Sequence, residues 1–261
     1  MLAVIGLEAQ VGRKQVASAI THRTPGPRLL VEFGVAGSTW ALAAGSRPKP
    51  SSTLATLYDE LDAQGSALGR VRVRLETVLT AITDLETGRG LAPDELAERS
   101  VIPVVRAPTT PPEAAERGLR YAATLAELFS QLERAAIAEA PRVVVDLGRV
   151  TPSLVGQAPW LASVRDAVLV VDERTSAIAA LGYFERAFPQ VRLWVVTVAH
   201  GRSRRRRLDE VVRFALRTRT AVGVVPIDRV LLTERSSPEL ERALAPIVAA
   251  SSLALHEDVL P

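Results

Sequence analysis

Residues 142–172 read RVVVDLGRVTPSLVGQAPWLASVRDAVLVVD. Two apolar runs, Arg142 to Leu147 and Ala167 to Asp172, each carry a carboxylate at or beside the last position. A stretch with helical spacing, Leu154 to Val164, separates them. A run that is apolar at nearly every position, rather than at every second one, has both of its faces buried. That marks a central strand of a parallel sheet covered by helices on both sides.

The same unit recurs outward in both directions. Downstream lie the runs VRLWVVTV (191–198) and AVGVVP (221–226), with helical stretches over Ser176–Ala187 and Arg204–Arg217 and a last helix over Pro238–Ser251. Upstream, LAVIG (2–6) precedes a Gly12 loop and a helix over Arg13–Thr21. After the turn signal TPGP (24–27), RLLVEF (28–33) forms a second strand. A Pro-rich loop, SRPKPSS (46–52), leads to a helix from Thr53 to Asp62, with Leu54, Leu57, Tyr58 and Leu61 at i, i+3, i+4 and i+7. Val71 to Leu75 alternates with arginine and suits an edge strand. Leu91 to Glu95 starts a helix, VIPVVR (101–106) is strand-like despite Pro103, and a long helix fits Glu113 to Glu139. The expected fold is α/β: a doubly wound, mostly parallel sheet flanked by helices on both faces, in a single domain over residues 1–261.

Composition narrows the function. The chain has 261 residues and no cysteine, which excludes disulfides, thiolate catalysis and Cys-ligated zinc. Of 32 basic residues only Lys14 and Lys49 are lysines, so the pI near 9.8 on a net charge of +3 reflects arginine. No apolar run reaches the roughly 18–20 residues of a membrane span. Met1 to Gly6 is apolar, but Glu8 and Gln10 come directly after, which does not suit a secretory signal; a cytoplasmic protein is expected. His22, His200 and His256 show no metal-ligand spacing, and no metal is expected.

In doubly wound folds, ligands sit at the carboxyl ends of the strands. The first such end, Gly6-Leu7-Glu8-Ala9-Gln10-Val11-Gly12-Arg13-Lys14, reads as an eroded phosphate loop with Gly6 and Gly12 as its glycines, Arg13 in the lysine place and Lys14 in the hydroxyl place. The order of the segments downstream of this loop carries a resemblance. They are Glu32-Phe33 at a strand end, the helix Thr53-Leu54-Ala55-Thr56-Leu57, a strand ending in Ala107-Pro108, the strand Val143-Val144-Val145-Asp146, and Pro226-Ile227-Asp228. Together these resemble the ParA/MinD family of deviant P-loop ATPases. The Val-x-Ala-Pro strand end followed by Thr-Pro-Pro-Glu looks most like the CpaE/TadZ branch, localisation factors of Tad-type pilus assembly.

The departures from that family decide the expected activity. Its signature is K-G-G-x-G-K-[ST]. Glu8 stands in place of the lysine that reaches across a dimer to the partner's ATP, Ala9 and Gln10 replace two glycines, and Lys14 replaces the magnesium-binding hydroxyl. Glu32 and Phe33 replace the usual acidic pair. Because phosphoryl transfer is nearly all positioning and charge stabilisation, the resemblance implies a pseudo-ATPase. Gly6, Gly12, Arg13, Lys14, Glu32 and Asp146 would form a vestigial nucleotide or phosphate site with no catalytic residue. Residual ATP or ADP binding is one open alternative for that site; the plainer one reads Gly12-Arg13-Lys14 as a helix N-terminus with two exposed basic residues. Glu32 and Asp146 either hold a cation there or pair with Arg and Lys, the second being favoured.

A second feature is the run Arg202, Arg204, Arg205, Arg206, Arg207. It is either a salt-bridged, solvated helix face, with Asp209 and Glu210 at i,i+4 spacing to Arg213 and from Arg206, or a weak non-specific DNA-binding patch. The tail Ser251–Pro261 has no basic residue, so direct membrane insertion is not expected. The leading reading is a non-catalytic scaffold or localisation protein acting through protein partners in pilus or secretion assembly, as a homodimer that does not depend on nucleotide. The alternatives are an ATP-binding positioning ATPase with an atypical loop and a partition-type DNA-binding protein.

Overall fold

The computed structural model describes residues 1–6, 12–33, 53–63, 75–108, 111–134, 140–149, 157–172, 181, 184, 186–215, 221–232, 237–251 and 253. Its centre is an eight-stranded sheet in the order β3-β4-β2-β5-β1-β6-β7-β8. The strands are β1 (Leu2–Gly6), β2 (Arg28–Glu32), β3 (Thr83–Asp84), β4 (Pro103–Val105), β5 (Arg142–Arg149), β6 (Asp166–Val171), β7 (Arg192–Ala199) and β8 (Ala221–Asp228). All neighbours are parallel except β3, which runs antiparallel to β4.

Helices cover both faces: α1 (Arg13–Arg23), α2 (Leu54–Ala63), α3 (Leu75–Thr80), α4 (Pro111–Arg134), α5 (Ala158–Ser163), α6 (Gly201–Ala215) and α7 (Pro238–Ala250). Alternate residues of each strand feed opposite cores. Ala3, Ile5, Val31, Val145 and Leu169 join α2, α4, α5 and α6 on one side. Leu2, Val4, Leu30, Val144 and Val168 join α1 and α7 on the other. Each such buried Val or Leu contributes roughly 1.5–3 kcal/mol. Helix α1 has little amphipathic pattern in sequence because it is enclosed: Val16 through Thr21 are all buried, with α7 packed against it.

Two polar devices tie the amino-terminal rim. Arg28, buried at the start of β2, donates to the carbonyls of Glu98 (2.5 Å) and Val101 (3.2 Å). His22, at the end of α1, bridges Glu241 of α7 (2.8 Å) and the carbonyl of Arg99 (2.7 Å).

The sheet ends differently at its two edges. β3 is two residues long, and Asp84 fixes the turn after it by accepting from Thr87 N (3.0 Å), Thr87 Oγ1 (2.7 Å) and Ile102 N (3.2 Å). β8 is eight residues long and carries exposed Pro226.

The structure corrects two sequence expectations and bears out a third, the strand at Pro103. Leu75, expected to close an edge strand from Val71, instead opens α3; residues 71–74 lie outside the described residues. The edge is formed by the antiparallel β3, too short to leave a period-2 signal. The helix expected to begin near Leu91 is a single 3-10 turn, Pro93–Ala97. Pro103 is accommodated because it is the first residue of its strand. Parts of the expected helices 113–139, 154–164, 176–187 and 204–217 also fall outside the described residues.

Candidate functional site

The carboxyl ends of β2, β5 and β1 lie side by side at the middle of the sheet. Glu32 pairs in register with Asp146, and Asp146 with Val4, so two acids and the start of α1 converge by topology alone. The chain leaves β1 at Gly6; residues 7–11, which include Glu8, Ala9 and Gln10, lie outside the described residues. It re-enters at Gly12, the N-cap of α1, with φ 70° and ψ 17° and no side-chain cap. Gly6 is itself the last residue of β1 and stands six positions before Gly12, one more than G-x-x-x-x-G sets, so it is not a loop glycine of that motif.

Gly12 is required twice over. Its left-handed backbone disfavours any side chain, and a Cβ would sit 2.3 Å from Leu232 Cδ1. Leu232 belongs to a 3-10 turn, Arg229–Leu232, that comes after β8. No local pattern signals this contact, because the partners are 220 residues apart and Leu232 alone is an ordinary core residue.

Both cations after Gly12 turn inward onto the acids. Arg13 Nε lies 2.5 Å from Asp146 Oδ1, and Lys14 Nζ lies 3.6 Å from Glu32 Oε1. Asp146 is 1% exposed and Glu32 2%. Asp146 Oδ1 also accepts from Gly148 N at 3.0 Å, and Glu32 Oε2 from Ala107 N at 3.4 Å. Burial pushes the Lys14 ammonium below the usual lysine range, and the charges of Glu32 and Asp146 only partly offset that. Two cations and two anions thus share one partly dry site. Their mutual attraction offsets part of the cost of their desolvation.

Phe33 does not take part in this charge set. It turns into the core and packs on Trp160 of α5, ring centroids 5.1 Å apart, and Trp160 stacks on Phe129 of α4 at 6.0 Å. Thr53 bridges to Arg106, and Leu54 N donates to the Arg106 carbonyl at 2.7 Å, which tethers α2 to the same rim. Asp172, buried at the carboxyl end of β6, lies on this rim as well; in the sequence it stands only as the end of an apolar run, with no role assigned to it. Among the described residues no group of three or more His, Asp or Glu is placed to hold a metal ion.

The arginine run lies apart from this site, in the first two turns of α6. Arg202, Arg204, Arg206 and Arg207 are exposed and Arg205 half-buried, while Leu208 and Val212 anchor the helix. Arg206 pairs with Glu210 and Arg213 with Asp209, both at 3.0 Å. Among the described residues no helix is long and apolar enough to cross a membrane.

No protein-family model and no curated protein sequence matches this chain. Solved structures do. A ParA family ATPase from Chlorobium tepidum TLS aligns with a TM-score of 0.57 at 12% identity, over 97% of this chain and 93% of that one. An ATP complex of McdA from Cyanothece aligns with a TM-score of 0.59 at 10% identity, over 95% and 94%. The MinC:MinD cell division protein complex of Aquifex aeolicus aligns with a TM-score of 0.54 at 12% identity, over 95% and 86%. At such identities the likeness is one of fold, and the fold is that of the ParA/MinD P-loop ATPases.

Proposed function

We propose that this chain is a non-hydrolysing member of the ParA/MinD fold, a scaffold or localisation protein that acts through protein partners. The observation that supports the reading is the closure of the charge set at the start of α1. In a working P-loop the lysine and the helix amides face phosphate and a hydroxyl holds magnesium. Here Arg13 and Lys14 stand in those places and are committed to Asp146 and Glu32 of the same chain. A phosphate would have to displace both pairs, leaving two buried carboxylates beside it.

The partner class comes from the sequence resemblance to the CpaE/TadZ branch, which points to Tad-type pilus or secretion assembly in the cytoplasm. Steady-state phosphate release with Mg-ATP tests the reading. The expected result is a background rate for the wild type and for Arg13→Ala alike. A wild-type rate above background that Arg13→Ala abolishes would restore the ATPase alternative. Co-purification with the pilus assembly ATPase tests the partner class separately.

A further inference from the structure

Helix α6 starts just past the carboxyl end of β7, and its stretch Arg202–Leu208 contains five arginines and no acid. The next two carboxylates along the helix are each engaged, Glu210 by Arg206 and Asp209 by Arg213. Arg202, Arg205 and Arg207 have no acidic partner among the described residues. The positive end of the helix dipole adds to these charges instead of opposing them.

Helical spacing divides the exposed surface into two flanks. Arg202, Arg206 and Arg213 fall on the side of Asp209 and Glu210. Arg204, Arg207 and Val211 fall on the other, at i, i+3 and i+7, over about 10 Å of helix. Val211 is 45% exposed, one of the large apolar side chains this fold leaves in solvent. The second flank therefore presents the Arg207 guanidinium next to an exposed apolar side chain, with no carboxylate of the helix's described residues between them; Arg204, on the same flank, has a contact of its own.

We propose that this flank docks an acidic segment of a partner protein, one that sets an apolar residue beside its carboxylates. This partner chemistry rests on the protein-partner reading of the chain. Guanidinium forks match carboxylates bidentately, and Val211 gives an apolar neighbour something to cover. A nucleic acid fits less well. A phosphate rail crossing the helix meets Asp209 and Glu210, finds no aromatic side chain to stack on between Arg202 and Arg213, and leaves Val211 bare.

Fluorescence anisotropy with the full chain tests this, using three labelled probes: a polyglutamate peptide, the same peptide with leucine at every fourth position, and a short DNA duplex. The leucine-bearing peptide is expected to bind best at equal salt. Arg207→Glu should weaken it by roughly five- to tenfold, Arg202→Glu on the other flank by clearly less. Val211→Ser should weaken it a few-fold while leaving polyglutamate binding unchanged. Circular dichroism confirms that each variant is folded. Equal losses for Arg202→Glu and Arg207→Glu, or no loss for Val211→Ser, would overturn the docked flank. Duplex DNA binding more tightly than either peptide would assign the run to nucleic acid. Phosphate release above background would remove the proposed function without touching this result, and failed peptide binding with no hydrolysis would remove the docking flank alone.

Discussion

At the scale of single residues, the ion pairs Arg13–Asp146 and Lys14–Glu32 are the decisive chemistry. Removing one member of a buried pair strands the other. Asp146→Ala is expected to destabilise the fold by about 3–5 kcal/mol, and the double change Arg13→Met/Asp146→Asn by much less; urea unfolding of both variants checks this. Lys14 adds a pH dependence. Its folded-state pKa lies below the unfolded value of 10.5, so the unfolded chain binds more protons across the window just beneath 10.5. Stability conferred at this site therefore rises with pH through that window. Wild-type stability measured relative to Lys14→Met/Glu32→Gln should increase from pH 8 to pH 10, and a flat or falling difference would contradict the assignment. Gly12→Ala should cost about 2–4 kcal/mol, from left-handed backbone and the clash with Leu232 together. The two acids are legible in the sequence because each ends an apolar run. That they pair with basic side chains is legible as the favoured of two alternatives, the other being a bound cation; that the partners are Arg13 and Lys14 is not legible in residue order. Leu232 is not legible at all, because a contact made by tertiary packing leaves no local pattern.

At the scale of elements, the continuous apolar strands and the 3.6-residue periodicity of α2 are readable because burial on two faces or on one stripe writes itself into residue order. What escapes is short or enclosed. β3 spans two residues, too few for any period. α1 buries six consecutive residues, so its helix is found from its place after β1 and not from a stripe. The turn beyond β3 depends on Asp84, which accepts three hydrogen bonds. Asp84→Ala should destabilise by roughly 1.5–3 kcal/mol and speed amide exchange over residues 83–91 ahead of the rest of the sheet, as hydrogen-exchange mass spectrometry would show. By contrast Arg206→Ala, which removes one exposed pair on α6, should leave the urea midpoint essentially where it is.

At the scale of the whole molecule, the eight-stranded, mostly parallel sheet with helices on both faces matches the ParA/MinD fold that the order of motifs implied. On the proposed non-hydrolysing reading, nucleotide does not govern self-association. If the chain self-associates, its mass by light scattering should be the same with and without Mg-ATP at every protein concentration; a dimer that forms only with ATP would show a working site. The two edges of the sheet bear on how any such assembly is built. A β-sheet invites growth by strand addition unless its borders are blunted. One border here stops after two antiparallel residues, and the other carries Pro226, which has no amide hydrogen to offer an incoming strand. Among the described residues neither border is a good template, so growth by strand addition is disfavoured at both ends of the sheet.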